Sequence, residues 1–449
     1  MKNLFSIFIL FSVTLASARA QVTVQYATNP AATIPDRGQY VSTLTIANAG
    51  IATITGVSAN VVLTSPSATN PMWLGDMFAS LTHGTASESE RTATLFNYFG
   101  SDPNNSATSL SASYDFATQF DGDWLASNKW SLLVADRAQG GVGQVASWGL
   151  TITGTAASSG TMDPGQGGTL SAAAAGTQGI GAKVRSTGQG ANAVTLSTEN
   201  GRGLNLTGGL EGSGDFKKTG LGTVQIGGNS PSFSGLVEVN GGDLVVGSGA
   251  NLGSSSSIRV NSGGRLKGTG TVGALTIASG GRLAVGNSPG TMTASSATWQ
   301  GGGILEWEIN NFLGSAGTNW DFLNLTGMLD ITATSGSKFI IEVISLLANN
   351  TEGQATGFNE AGNYNFLIAT AAGGFNNSFS ADDFTIVTSR FANATGSGTA
   401  GTNLWSVSTS GNNLYLNYSG GVAIPEPSSA ALALIGLGAL ALNRRRCRR

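Results

Sequence analysis

Leu236-Val-Glu-Val239-Asn-Gly-Gly-Asp-Leu244, Ile258-Arg-Val260-Asn-Ser-Gly-Gly-Arg-Leu266 and Leu275-Thr-Ile277-Ala-Ser-Gly-Gly-Arg-Leu283 are three versions of one phrase. In each, two apolar residues spaced by two point to one side of a strand, a small polar pair makes a corner, Gly-Gly turns, and a Leu begins the next face. The Gly-Gly pairs start at 241, 263 and 280, intervals of 22 and 17. A period near twenty built on one strand–turn–strand unit predicts a coil of a parallel β-solenoid, which buries its apolar row only against the next coil. At least one glycine of each pair is expected at positive φ, where other residues are strained.

Outward from these repeats, the composition agrees. Of 449 residues, 10% are charged, 66 are Gly and only 10 are Pro, which suits many short strands joined by tight turns. One Cys excludes an intramolecular disulfide, and one His excludes a multi-His metal site. Residues 155–190 hold few large apolar side chains and many Ser, Gly and Ala. A flexible linker is expected here, taken as 156–199 up to the first repeat. After the repeats, KFIIEVISLL, YNFLIATA, FTIVTSRF, LWSVST and NLYLNYS are of strand length. Residues 301–420 are therefore expected to continue or cap the solenoid 200–300.

The repeats carry a resemblance. Gly214-Asp-Phe-Lys-Lys-Thr-Gly-Leu-Gly-Thr223-Val and Gly286-Asn-Ser-Pro-Gly290-Thr resemble the autotransporter-associated β-strand repeat of passenger domains, and the run from Gly303-Ile-Leu-Glu-Trp-Glu-Ile309 through Asn319-Trp-Asp-Phe-Leu-Asn-Leu325 resembles the continuation seen after such repeats. No run of ten-residue amphipathic strands follows to build an outer-membrane barrel, so self-translocation is not expected.

Residues 22–155 read as short strands between Gly, Asn, Ser and Pro clusters, the pattern of an antiparallel sandwich or jelly roll. Ile34-Pro35-Asp36, Leu74-Gly75-Asp76, Gly122-Asp123-Trp124, Trp130-Ser-Leu-Leu-Val134-Ala-Asp136 and Gly143-Gln-Val145-Ala-Ser-Trp148-Gly-Leu150 occur in order and resemble the P/Homo B domain that follows the catalytic domain of proprotein convertases. The resemblance implies an eight-stranded jelly roll, often calcium-associated. Asp76, Asp123 and Asp136 are the calcium candidates; the competing reading has them accepting turn N–H bonds. Thr82-His83-Gly84-Thr85 stands where the family often has Ser-Pro-Ser-Gly. Its His-Gly-Thr also resembles the segment around a subtilase histidine. No Gly-Thr-Ser-Met or Asp-Thr-Gly segment accompanies it, so His83 is expected as a loop residue. Trp130 and Trp148 are expected in the core.

Both ends read as targeting devices. Lys2, the apolar stretch Leu4 to Leu15 and Ala18-Arg19-Ala20 form a secretory signal over 1–20, cleaved after Ala20. At 424–449, Pro425-Glu426-Pro427 precedes the apolar run Ala430 to Leu442 and then five Arg. The run is too short to span a bilayer as a helix of ~20 residues. Tripeptide, short apolar helix and basic end resemble the PEP-CTERM sorting signal recognised by exosortase in Gram-negative bacteria. The resemblance implies transient membrane association, cleavage near Pro425–Pro427, and delivery to the cell surface or extracellular matrix. Of 22 basic residues, two leave with the signal and five with the tail, and Glu426 leaves from 25 acidic ones, so the exported part carries net −9. An acidic surface gives no reason to expect nucleic acid.

Two function classes remain. One is a non-enzymatic surface or matrix protein, structural or adhesive, meeting exosortase and then extracellular polysaccharide or other surface proteins, with no cofactor except possible calcium. The other is a secreted β-helical enzyme acting on polysaccharide, lyase or hydrolase. For that rival, Arg259, Arg265 and Arg282 would line an anion-binding cleft, and Glu306/Glu308, flanking Trp307 on one face ~7 Å apart, would be acid and base. The plainer expectation is that the arginines are solvated edges and the two glutamates lie on an exposed edge strand.

Overall fold

The computed structural model describes residues 20–46, 50–97, 107–116, 118–124, 128–253, 255–375, 379–393 and 404–420. The signal peptide before Ala20 and the expected apolar helix of the tail lie outside them. Described residues form strands and short 3-10 turns.

Residues 21–156 make two facing antiparallel sheets. One orders Gln39–Thr45, Lys129–Asp136, Met77–His83 and Arg91–Asn97. The other is built on Gly143–Ala156, which pairs with Gln21–Thr28 on one side and Ile51–Thr64 on the other. Alternation along these strands sends Val22, Val24, Val61, Leu63, Leu132, Val134, Leu150 and Ile152 into the space between the sheets. Trp130 and Trp148 are both in that core, and Trp148 Nε1 donates to Ser42 Oγ of the opposite sheet at 2.8 Å.

From Thr161 the pairing becomes parallel and the chain winds as a solenoid. Leu170, Leu196, Lys218, Val239, Val260, Ile277 and Trp299 are successive partners on one face. A nine-stranded parallel sheet, running from Gly176–Ile180 to Phe384–Arg390, forms another. Its inner row stacks Leu204, Val224, Leu244, Leu266, Leu283, Leu305 and Ile341, all buried. Stacking like on like is what the repeated phrase encodes.

The corners behave as the sequence suggests, with one addition. Gly242, Gly263 and Gly280 have φ of 61°, 83° and 74°. Their neighbours Gly264 and Gly281 are needed for space instead: a Cβ would lie 2.2 Å from the carbonyl oxygens of Val239 and Val260. One glycine turns, and the other lets the coil settle onto its predecessor.

The stretch 156–199, expected as a linker, is corrected: it forms the first coils. Thr161–Met162 pairs with Lys183–Arg185, and Thr169–Ala172 with Val194–Ser197. Its larger apolar residues, Met162, Leu170, Ile180, Val184, Val194 and Leu196, are wholly buried, as is Ala182. The first strand, Gln21–Thr28, also pairs antiparallel with Thr169–Ala172, so sandwich and solenoid share one sheet. The far end is closed by the antiparallel pair Trp405–Ser410 and Asn413–Ser419, laid on Asn363–Ala371. Trp307, Phe366, Trp405 and Tyr418 fill the space beneath with ring centroids about 5–6.5 Å apart.

Candidate functional site

Chemistry-bearing side chains concentrate on the outer face of the nine-stranded sheet. Parallel register places Asp243, Arg265 and Arg282 side by side, each directly after its Gly-Gly. Two residues further along, Glu306 pairs with Glu342. Arg265 grips Asp243 with Nε and Nη2 at 2.8 and 2.9 Å and reaches Glu306 at 3.4 Å. Arg282 bridges Glu306 and Glu342, and Arg390 joins Glu342 at 3.6 Å and Glu352. Asp243 holds the Arg265 guanidinium firmly charged, against the cost of burial.

Glu306 is therefore not on an exposed edge. It is 4% exposed, on an interior strand, with a guanidinium on each carboxylate oxygen. Burial raises the pKa of neighbouring Glu308, tempered by Ser288 and Lys267. Nor are Arg265 and Arg282 solvated edges; they cross-link consecutive coils. Arg259 lies on the other face and donates to Asn261 at 3.0 Å. The signal for this ladder was present in the sequence, since Asp243, Arg265 and Arg282 occupy one position of the repeat. Glu342, Glu352 and Arg390 had no such marker.

Asp321, also unanticipated, ties together the two motifs quoted after the repeats. Its carboxylate accepts the Gly290 N–H at 2.9 Å and the Glu308 N–H at 3.0 Å, and its carbonyl accepts Trp307 Nε1 at 3.0 Å. Burial pushes its pKa well up. Lys218 is a second buried ionisable group, standing in the inner row between Leu196 and Val239. Its Nζ donates to the corner carbonyls of Thr219, Gly220 and Gly241 at 2.8–2.9 Å. Burial lowers its pKa to about 8.

Along the backbone the three calcium candidates stand at two separate places. Asp76 and Asp136 share one end of the strand Met77–His83, where Met77 is opposite Asp136 and the Arg137 N–H donates to the Asp76 carbonyl at 3.0 Å. Asp123 pairs with Thr53 beside Trp124, whose ring contacts His83 at the other end. Seven residues of strand separate the two ends by roughly 20 Å. Among the described residues, no group of three or more His, Cys, Asp or Glu is arranged to hold a metal ion. Asp136 accepts the Ala138 N–H at 3.1 Å, as the turn reading has it. Burial, with Asp36 and Asp76 nearby, raises its pKa to about 6.

His83 is corrected from loop to core. It ends a strand, is fully buried, and stacks on Trp130 with centroids 4.0 Å apart. Neither ring nitrogen has a hydrogen-bond partner among the described residues. Burial lowers its pKa to about 4, Arg91 opposite adds to this, and Glu88 opposes it.

After the last cap strand, Asn413–Ser419, the Gly420 N–H donates to Asn363 Oδ1 at 3.0 Å. Pro425, Glu426 and Pro427 lie beyond the described residues. A search of curated proteins finds no match to the chain. Comparison with protein families matches residues 423–449 to the PEP-CTERM protein-sorting motif, the signal that directs export and surface sorting in Gram-negative bacteria through exosortase processing.

Proposed function

We propose that the mature chain is a non-enzymatic structural or adhesive protein of the cell surface or extracellular matrix, displayed as a short capped rod. The observation that carries this reading is the sorting motif over residues 423–449, which follows the cap strand Asn413–Ser419. Nine strands at ~4.8 Å spacing give the solenoid a height of roughly 40 Å. The P/Homo B-like jelly roll is its outer module, and autotransporter-associated repeats are its stem. Support for a non-catalytic stem comes from the ladder, where the carboxylate best buried for acid–base work, Glu306, is committed to two guanidinium groups.

Production in a host with an exosortase tests this. The surface-released protein should end near Ile424–Ser428 by mass spectrometry and should release neither reducing nor unsaturated ends from the host's polysaccharide. Recovery of intact Arg449 from the matrix, or saccharide cleavage lost in Glu308→Gln, would overturn it.

A further inference from the structure

A hollow of about 280 Å³ opens on the outer face of the sheet shared by sandwich and first coil. Its origin lies in side-chain size. Gly149 and Ala27 are partners on adjacent strands and form a low floor, with Asn60 opposite Gly149 on the next strand. A second cross-strand row, Thr151, Gln25 and Thr169, stands beside it and crosses from sandwich to solenoid through antiparallel pairs. Gly149 cannot be larger: a Cβ would lie 2.6 Å from the Tyr26 carbonyl oxygen. The depression is therefore fixed by the backbone, and Gly167 and Thr169 of the first coil bound it on one side.

The lining is neutral throughout. Gln25, Asn29 and Asn60 bring amides, and Ser147, Thr151 and Thr169 bring hydroxyls; no carboxylate, ammonium or guanidinium lines the hollow. Amides and hydroxyls each offer both donor and acceptor, the complement of a vicinal diol. A charged ligand would lose hydration here without gaining a counter-charge. The volume is at the lower end of ligand sites, enough for one or two sugar rings of a longer chain. We propose that this seam hollow binds a neutral polysaccharide segment. The inference deepens the matrix reading above and rests on it for the ligand's biological setting, though not for its chemistry.

Titration of the full exported chain with neutral hexasaccharides (cello-, malto- and manno-) and with hexagalacturonate, followed by calorimetry, tests it. Saturable binding of at least one neutral hexasaccharide is expected. Ala27→Trp, which fills the floor, should weaken it at least tenfold, and Asn60→Ala should weaken it while leaving the melting temperature unchanged. Thr43→Trp on the opposite sheet's outer face should have no effect. Absence of neutral binding, preference for hexagalacturonate, or full binding by Ala27→Trp overturns the site. A chain that is sorted and trimmed normally yet binds no neutral sugar would remove this inference and leave the surface assignment standing.

Discussion

Replacing His83 by Phe and Asp136 by Asn should expose two opposed titrations inside the sandwich. The folded pKa of His83 is about 4, against 6.5 ordinarily. Between these values the unfolded chain binds a proton that the folded sandwich refuses, so this group's contribution falls as pH drops from 6.5 to 4. Asp136 does the reverse. Its folded pKa is about 6 against 3.8, so between them the folded state binds the extra proton and stability rises on acidification. At ~1.4 kcal/mol per pKa unit, each contribution is about 3 kcal/mol, with opposite signs. In the wild type they nearly cancel between about pH 4 and 6. His83→Phe keeps a ring on Trp130 and removes two unpartnered nitrogens, so the variant should be more stable and gain further as acid is added. Asp136→Asn keeps an acceptor for the Ala138 N–H and should lose about 3 kcal/mol between about pH 6.5 and 4. Urea unfolding followed by tryptophan fluorescence at each pH gives the differences, with the other carboxylates common to all three proteins. Parallel pH profiles for wild type and both variants would refute the reasoning, as would an NMR titration placing this single histidine near 6.5.

Gly264→Ala should cost about 1–3 kcal/mol by thermal unfolding, because its Cβ lands on the Val239 carbonyl. Gly249→Asn, at φ of 75° with open space around it, should change stability by no more than about 0.5 kcal/mol; equal losses would break the distinction between turning and close-packed glycines. Trypsin should spare Lys183 and Arg185, which are held in a strand of the first coils, until the rod unfolds; early cleavage there would restore the linker reading.

The solenoid was legible because parallel in-register stacking writes its own period. Each coil repeats the residues it sets against the last, so Leu244, Leu266 and Leu283 announce one another. The first coils escaped notice for a physical reason. A narrow coil fills its interior with Ala182, Val184 and Leu170, and shared pairing with Gln21–Thr28 replaces core volume that a composition count looks for. His83 was misplaced because the motif around it pointed to a loop, whereas stacking on Trp130 is a long-range contact with no local trace. The three calcium candidates came from a family resemblance rather than from any spacing, and no local signal shows that Asp76 and Asp136 stand at one end of Met77–His83 while the Gly122–Asp123 strand lies toward the other.

The ladder shows what the repeat has to overcome. Stacking like on like stabilises apolar rows, but the same rule sets Arg265 against Arg282, where like charges on neighbouring strands repel. The chain breaks the repetition on either side of that pair. Asp243 replaces arginine in the coil before, and Glu306, two residues along in the coil after, reaches back to both guanidinium groups. Glu306 and Glu342 would repel in turn, and Arg282 and Arg390 stand around them. Each departure from the consensus thus answers a like-charge contact created by the consensus. This also accounts for Glu306 being buried: with guanidinium groups closing over both oxygens, its charge is neutralised across strands, and the hydrogen bonds lost to water are replaced within the sheet. A row of charges that looks like a cleft in sequence becomes the lateral tie of a rod.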